Sequence, residues 1–159
     1  VDEESLDKGD EFITSVSVVE EATLLSREGL VNAMHDPTEG GILGGLAEMA
    51  YASNKLIKVY LDKIPVHQVT AEVTKALKID PLRMLSSGAL LASIPREKVE
   101  DAVSLLEKHG IRASVIGEAL SRDPGAPLLE VVEEGVIKDL IYTPYVEDEV
   151  IKLWRLAPR

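Results

Sequence analysis

The sequence predicts an α/β sandwich (α+β class) in which helices pack against one mixed β-sheet. Apolar and charged or polar residues alternate over 57–62, which is the pattern of a half-buried strand, and helical spacing recurs between the predicted strands. Glu133-Glu134-Gly135 separates two apolar runs and is typical of a β-hairpin, so antiparallel pairs are expected beside βα units. A length of 159 residues suits one domain of this class.

The first predicted elements are a short extended segment over 12–16 and a helix that ends at Gly29. Ser17 followed three residues later by Glu20 has the spacing of a capping box, which places the start of this helix at Ser17. The apolar run over 30–34 is predicted to be a strand.

A second helix is predicted to begin at Asp36 and to end near Ser53. Asp36 is a preferred N-cap residue, Pro37 suits the first helical position, and Glu39 suits the third. The apolar residues on one face of this helix are Ile42, Leu46, Met49 and Ala50.

The remaining elements continue the alternation of strands and helices. Gly110 is expected to end one helix, and Trp154 of the last helix is expected to lie in the core or at a domain interface. In order, these elements are a strand over 57–61, a helix over 69–77, a short helix over 82–85 capped by Asp80 and Pro81, a strand over 89–94, a helix over 95–109, a strand over 111–116, a hairpin of 128–132 with 136–141, and a helix over 145–156.

The composition excludes several kinds of site and partner. The chain has no cysteine, so disulfides, thiolate metal sites and cysteine nucleophiles are excluded. A net charge of −11 argues against binding to nucleic acid. The longest uncharged stretch, 84–95, is too short to span a membrane. No basic segment precedes an apolar run, so no signal peptide is predicted and a cytoplasmic location is expected.

Acidic residues are concentrated in the first third of the chain. Residues 1–50 carry twelve acidic and two basic side chains, whereas residues 51–159 carry sixteen and fifteen. We predict that 1–16 is an acidic leader or interdomain connection and that 17–159 is the folded domain. Either this leader is simply solvated, or it recruits Mg²⁺ or a basic partner.

The most unusual chemistry lies between residues 34 and 48. Each glycine inside a helix costs about 1 kcal/mol relative to alanine, and glycines spaced by four leave a helix face without side chains. Such a face permits close packing on a sheet, or it lets a phosphate approach the free N–H groups of the first turn. The sequence leaves both interpretations open. The glycines concerned are Gly40, Gly41, Gly44 and Gly45.

Two carboxylates beside these glycines would repel a bare phosphate. A bridging Mg²⁺ reconciles Asp36 and Glu39 with phosphate oxygens, because this ion keeps waters and uses few protein ligands. The competing interpretation is that Asp36 only caps the helix, and no metal ligand is assigned within the chain. His35 precedes Asp36, but neighbouring residues of a strand point to opposite faces, so the two are not expected to act as a pair.

The segment Asp36-Pro37-Thr38-Glu39-Gly40-Gly41, preceded by a short strand, resembles the Asp-Pro-Thr-Arg-Gly-Gly motif of the HypE family of hydrogenase maturation proteins. That family shares a superfamily with aminoimidazole ribonucleotide (AIR) synthetase, formylglycinamidine ribonucleotide synthetase, selenophosphate synthetase and thiamine monophosphate kinase. The strand entry at 87–90, the helix over 95–110 and the strand end at 113–118 also fall where its C-terminal domain has them. The resemblance covers residues 17–141.

The resemblance implies a partly ferredoxin-like α/β domain that closes a nucleotide cleft against a separate N-terminal domain. That other domain, expected upstream of Val1, dimerises and supplies most ligands for ATP and Mg²⁺. Members transfer a phosphoryl group from ATP to a carbonyl or amide oxygen. A homodimer and a maturation-protein partner are implied in the same way. In this chain, the resemblance places Asp36, Thr38, Glu39, Gly40 and Gly41 around the phosphates.

Two departures from the HypE pattern bear on function. Glu39 stands where HypE proteins typically have arginine, which reverses the charge offered to phosphate. HypE proteins also end in a cysteine that carries the carbamoyl group they dehydrate, whereas this chain ends Leu156-Ala157-Pro158-Arg159. We therefore expect either a paralogue that acts on another substrate or a chain without the true terminus.

The sequence as a whole predicts the C-terminal domain of a HypE-like, ATP-dependent enzyme that is inactive alone. The alternative is a stand-alone, ferredoxin-like domain that senses a ligand or binds a protein without catalysis. An upstream segment with acidic metal-binding motifs would favour the enzyme.

Overall fold

The computed structural model describes residue 9 and residues 11–156. Short 3₁₀ turns occupy Glu11–Ser15, Leu61–Lys63, Pro81–Arg83 and Arg96–Lys98. The helices of this part of the chain are α1 (Val19–Arg27), α2 (Gly41–Ser53), α3 (Gln68–Leu77), α4 (Val99–Lys108) and α5 (Val150–Leu156). The strands are β1 (Ala33–His35), β2 (Lys55–Tyr60), β3 (Leu91–Ser93), β4 (Gly117–Ser121), β5 (Leu129–Glu133) and β6 (Val136–Ile141).

The described strands form two sheets. Four strands make a mixed sheet in the order β4-β2-β5-β6, in which β2 is antiparallel to β4 and parallel to β5. Strands β1 and β3 make a separate antiparallel pair, with Met34 opposite Ala92. The predicted class, a mixed sheet with helices packed on it, is confirmed. The expectation of a single sheet is wrong, because β1 pairs with β3 and not with the larger sheet.

Helix α2 packs on the four-stranded sheet and contributes most of the helical side chains to the main core. Leu46 and Ala50 of its predicted apolar face are buried there, while Ile42 and Met49 pack at the margin. Leu43 and Ala47 are also buried, so the apolar face is wider than predicted. The buried members of this core are Leu43, Leu46, Ala47, Ala50, Val59, Leu91, Leu128, Leu129, Val131, Ile141 and Val146.

A second, smaller core joins α1 and α4. Its buried residues are Leu25, Leu30, Ala102 and Leu106. Gly29 has a φ of +61° and ends α1, as predicted, because the Leu30 N–H donates to the Leu25 carbonyl at 3.0 Å in a Schellman arrangement. The same two leucines then pack together in the small core, which fixes where the chain leaves the helix.

The predicted hairpin is confirmed as β5 and β6. Glu134 and Gly135 connect the strands with φ angles of +50° and +78°. Two positive φ angles are what a two-residue turn of type I′ requires, and glycine accepts this conformation without steric cost. The Glu134-Gly135 pair was therefore a correct indication of a hairpin turn.

Several predicted elements near the amino terminus are displaced. Residues 12–15 lie in a 3₁₀ turn, where the Phe12 ring meets the His67 ring edge-on at 4.6 Å, so the predicted extended segment is wrong. The capping box is also wrong, since α1 begins at Val19 and no side chain caps it. The first strand lies at 33–35, because Leu30 belongs to the helix end.

Two predicted elements of the second half are also displaced. Residues 111–116 are not a strand, and β4 begins at Gly117, where the backbone passes so close to β2 that a Cβ would lie 2.3 Å from the Lys58 carbonyl oxygen. The last helix begins at Val150, five residues later than predicted. Trp154 is 74 % exposed, so it does not belong to the core.

Most of the predicted leader, 1–16, falls outside the described residues, and the boundary at residue 17 stays a prediction. Within residues 11–156, no helix combines the length and the apolar character needed to cross a membrane.

Candidate functional site

The residues predicted to contact phosphate form one turn between β1 and α2, which we call the glycine turn (residues 36–41). Gly40 is the N-cap of α2 and has a φ of +75°, and Gly41 follows with a φ of +64°. These two left-handed residues bend the chain into the helix, which therefore begins at Gly41. The prediction that Asp36 caps α2 is accordingly wrong.

The glycine turn is exposed at three of its six positions. Asp36, Thr38 and Glu39 are exposed, whereas Pro37, Gly40 and Gly41 are buried. The side chain of Asp36 is 72 % exposed. The turn therefore offers two carboxylates and one hydroxyl to a ligand that approaches from solvent or from another domain.

The buried glycines are covered by neighbouring parts of the same chain. A Cβ at Gly41 would lie 2.5 Å from the Met84 carbonyl oxygen, and one at Gly45 would lie 2.8 Å from Cβ of Pro37. A Cβ at Gly44 would lie 2.9 Å from the Glu39 carbonyl oxygen. Close packing is thus a sufficient reason for glycine at these three positions, independently of any ligand.

Gly40 contacts a segment from the far end of the chain. Its N–H donates to Oδ2 of Asp148 at 2.9 Å, and a Cβ at Gly40 would lie 2.6 Å from the Val146 carbonyl oxygen. Asp148 is 6 % exposed, and its Oδ1 accepts from the Val150 N–H at 2.8 Å, which caps α5. Asp148 was not among the predicted site residues. Its N-cap position before 150–156 was the available signal, but the helix was predicted to start earlier.

A histidine–carboxylate pair lies beside the turn. Nε2 of His35 lies 2.6 Å from Oε2 of Glu48 in α2, and Nδ1 lies 3.9 Å from Oδ1 of Asp36. His35 and Asp36 are therefore within ion-pair distance, contrary to the expectation that they point apart. Glu48 is a partner that sequence reasoning did not identify.

The predicted Mg²⁺ would find an incomplete set of ligands in this chain. Across residues 11–156, no three histidine, aspartate or glutamate side chains cluster in a way that could hold a metal ion. Asp36 and Glu39 are nevertheless exposed oxygen donors, and Mg²⁺ in phosphate sites commonly uses one or two protein carboxylates together with phosphate oxygens. The donor chemistry thus fits a contribution to a shared site.

A second polar contact lies on the four-stranded sheet. The Tyr60 hydroxyl donates to Oε1 of Glu118 at 2.9 Å across the β2–β4 pair. This hydrogen bond, with smaller effects of desolvation and of the carboxylate charge, raises the pKa of Tyr60 above its ordinary value.

Comparison with known proteins identifies a family match over most of the chain. Residues 2–128 match the family described as AIR synthase related protein, C-terminal domain. A Methanocaldococcus jannaschii protein named for hydrogenase expression and formation is 29 % identical over 84 % of this chain and 49 % of its own length. Carbamoyl dehydratase HypE of Bradyrhizobium diazoefficiens is 33 % identical over 58 % of this chain and 28 % of its own length.

Solved structures of HypE proteins have a similar fold. The Escherichia coli HypE structure superposes with a TM-score of 0.69 at 25 % identity, covering 79 % of this chain and 40 % of that one. A HypE structure in complex with ATP gives a TM-score of 0.58 at 28 % identity, covering 70 % and 36 %. A HypE–HypF complex gives 0.63 at 25 % identity, covering 74 % and 39 %.

The matched region spans half or less of the length of these relatives. The similarities favour a HypE-like domain over the alternative of a stand-alone sensing module. They agree with the resemblance carried by residues 36–41.

Proposed function

This chain belongs to the family described as AIR synthase related protein, C-terminal domain, and we propose that it forms one wall of the ATP site in a HypE-like enzyme. The proposal rests on the exposure of Asp36, Thr38 and Glu39. The other residues of this turn pack against their own domain. A relative of this kind has been solved with ATP, which supports nucleotide as the ligand.

The exposed side chains have distinct tasks in this proposal. The Thr38 hydroxyl donates to a phosphate oxygen, while Asp36 and Glu39 hold Mg²⁺ from the protein side. The ion, when bound, offsets phosphate charge and allows carboxylates to face a triphosphate. Gly40 and Gly41 give the turn its shape, and the main-chain donor proposed for phosphate is the N–H of Gly40, the N-cap residue of the helix.

The reaction class follows from the chemistry of ATP and from the carbamoyl dehydratase relatives. Phosphoryl transfer to an amide or carbamoyl oxygen turns that oxygen into a phosphate leaving group. Loss of phosphate then removes the oxygen, and the net change is dehydration. Glu39 in place of arginine means that a cation from elsewhere compensates the phosphate charge.

Completion of the site requires groups from outside this chain. An N-terminal domain supplies the remaining ligands, and this domain also forms the homodimer. A second maturation protein is the proposed partner, supported by the HypE–HypF complex. Dependence on ATP suits a cytoplasmic location.

The first test measures nucleotide affinity of the 159-residue chain by calorimetry. With few cationic donors near the turn, we expect Mg-ATP to bind with a dissociation constant on the order of 1 mM or weaker. Micromolar binding by this chain alone would contradict a shared site.

The second test uses the polypeptide encoded by the complete gene. Thr38→Ala removes one hydrogen bond to a charged phosphate, so we expect the KM for ATP in an ATPase assay to rise about tenfold. Ser104→Ala removes an exposed hydroxyl from α4 and serves as the matched control, with an unchanged KM. Equal KM values for the two variants would overturn the assignment of Thr38.

A further inference from the structure

We propose that Asp148 competes with phosphate for the glycine turn, so that residues 146–149 leave the turn before an anion binds the Gly40 amide. We call residues 146–149 the covering segment. The inference rests on the proposed function and adds a regulatory contact to the same site. It is carried by the hydrogen bond from Gly40 to Asp148 and by the packing of the covering segment on the turn.

The competition follows from the number of donors. The Gly40 N–H is a single donor, and the Asp148 carboxylate already accepts from it at 2.9 Å in a buried position. A carboxylate is an anion like phosphate and uses the same kind of donor near a helix start. Phosphate therefore binds this N–H only when Asp148 releases it.

Steric contact strengthens the competition. A single Cβ added to Gly40 would lie 2.6 Å from the Val146 carbonyl oxygen, so the covering segment packs directly on the Gly40 backbone. The segment is also held beside the turn, since the Glu149 N–H donates to the Arg83 carbonyl at 3.0 Å. An anion at Gly40 thus requires movement of main chain as well as of the Asp148 side chain.

The covered arrangement contains an unfavourable feature of its own. Glu149 is 6 % exposed, and its Oε2 is buried without a hydrogen-bond partner among the residues that the structure describes. Its Oε1 pairs with the Lys152 ammonium group. A buried carboxylate oxygen without a partner destabilises the state that contains it. The burial of Glu149 Oε2 therefore opposes the state in which the covering segment lies on the turn, and it favours a state in which the segment has moved away.

The experiment titrates the ¹⁵N-labelled chain with Mg-ATP and follows the Gly40 amide by NMR. Asp148→Asn keeps the size of the side chain and one acceptor oxygen but removes the charge. Asp123→Asn makes the same change at an exposed position outside the covering segment and is the matched control. We expect the Gly40 amide to respond at about tenfold lower Mg-ATP concentration in Asp148→Asn than in wild type or Asp123→Asn, and this tenfold difference corresponds to about 1.4 kcal/mol.

The outcomes separate this inference from the proposed function. Equal midpoints in all three proteins overturn the competition and leave the proposed nucleotide site standing. Absence of any response at Gly40 in all three proteins, with Mg-ATP in excess of the expected dissociation constant, overturns the competition. The proposed function is judged separately, by the KM of Thr38→Ala in the polypeptide encoded by the complete gene.

Wild-type protein supplies a second measurement that does not depend on the folding of a variant. If the covering segment leaves the turn, the amides of Val146, Asp148 and Val150 shift along the same Mg-ATP titration curve as Gly40. A shift of Gly40 with unchanged positions of these three amides contradicts the proposal.

Discussion

Gly41 and Gly29 have nearly the same φ angle in different surroundings. Both have positive φ angles, +64° and +61°, which side chains adopt at a cost. Around Gly29 no atom lies within 4 Å of an added Cβ, whereas at Gly41 the Met84 and Leu82 carbonyl oxygens lie at 2.5 and 2.7 Å. The pair therefore separates backbone strain from steric overlap.

Gly29→Ala is expected to lower the free energy of unfolding by about 1 kcal/mol, because it adds only backbone strain. Gly41→Ala adds overlap with fixed main chain and is expected to cost about 3 kcal/mol. Urea unfolding monitored by circular dichroism measures both. Equal losses would mean that residues 82–84 move aside without cost.

The hydrogen bond from Tyr60 to Glu118 predicts a pH dependence. Because this bond raises the pKa of Tyr60, the folded protein holds the phenol proton more tightly than the unfolded chain does. The resulting stabilisation is complete below the unfolded pKa and is lost as the pH rises through the higher folded pKa.

NMR titration of the Tyr60 ring measures this effect directly. In Glu118→Gln the charge is gone and the acceptor is weaker, so the pKa of Tyr60 is expected to fall toward its ordinary value. Glu134→Gln, in the exposed β5–β6 turn, is the control and should leave the titration unchanged. An unchanged pKa in Glu118→Gln would show that the carboxylate does not control the phenol.

Among the elements, β2 is one of the two inner strands of the four-stranded sheet, because it lies between β4 and β5. Val59 of this strand is fully buried against α2 and the neighbouring strands. Val59→Ala is expected to lower the free energy of unfolding by about 2 kcal/mol through lost burial and a residual cavity. Val136→Ala, at a 59 % exposed position of β6, should change it by less than about 0.5 kcal/mol. Similar losses at both sites would contradict the assigned core.

Elements with a local signal were predictable from the sequence. Gly29 and Gly110 follow α1 and α4 with positive φ, and Asp80 caps its short helical turn by accepting from the Leu82 N–H at 2.9 Å. The Glu134-Gly135 turn was also recognised. In each case the residues that determine the structure lie within a few positions of one another, so the local sequence is enough to predict the element.

The elements that were misplaced depend on distant contacts. Strand β4 begins at Gly117 because that residue packs on Lys58, and α2 begins late because Gly40 adopts a left-handed conformation against Val146. The start of α5 is an exception, because Asp148 caps it locally through Val150, although the bond from Gly40 to Asp148 is a distant one. No pattern within a window of ten residues reveals the distant pairings, since their members lie far apart in the chain.

On the scale of the whole molecule, the candidate site was found in part from the sequence. The segment 36–41 was identified by its glycines and by its resemblance to a known motif, and the family is confirmed by the match over residues 2–128. The residues that cover the turn, and the His35–Glu48 pair, required the folded structure. The assignment of Asp36, Thr38, Glu39, Gly40 and Gly41 to phosphate stays a prediction.

The parallel pairing of β2 with β5 has a consequence for synthesis on the ribosome. Strand β2 ends at Tyr60, but its neighbours begin only at Gly117 and Leu129. At about 5–20 residues per second, translation takes roughly 3–12 s to reach the first of them. Throughout that interval the apolar face of α2 lacks the part of its sheet that β4, β5 and β6 provide. We therefore expect the nascent chain to expose apolar surface, and to be open to chaperone binding, until its last third has been made.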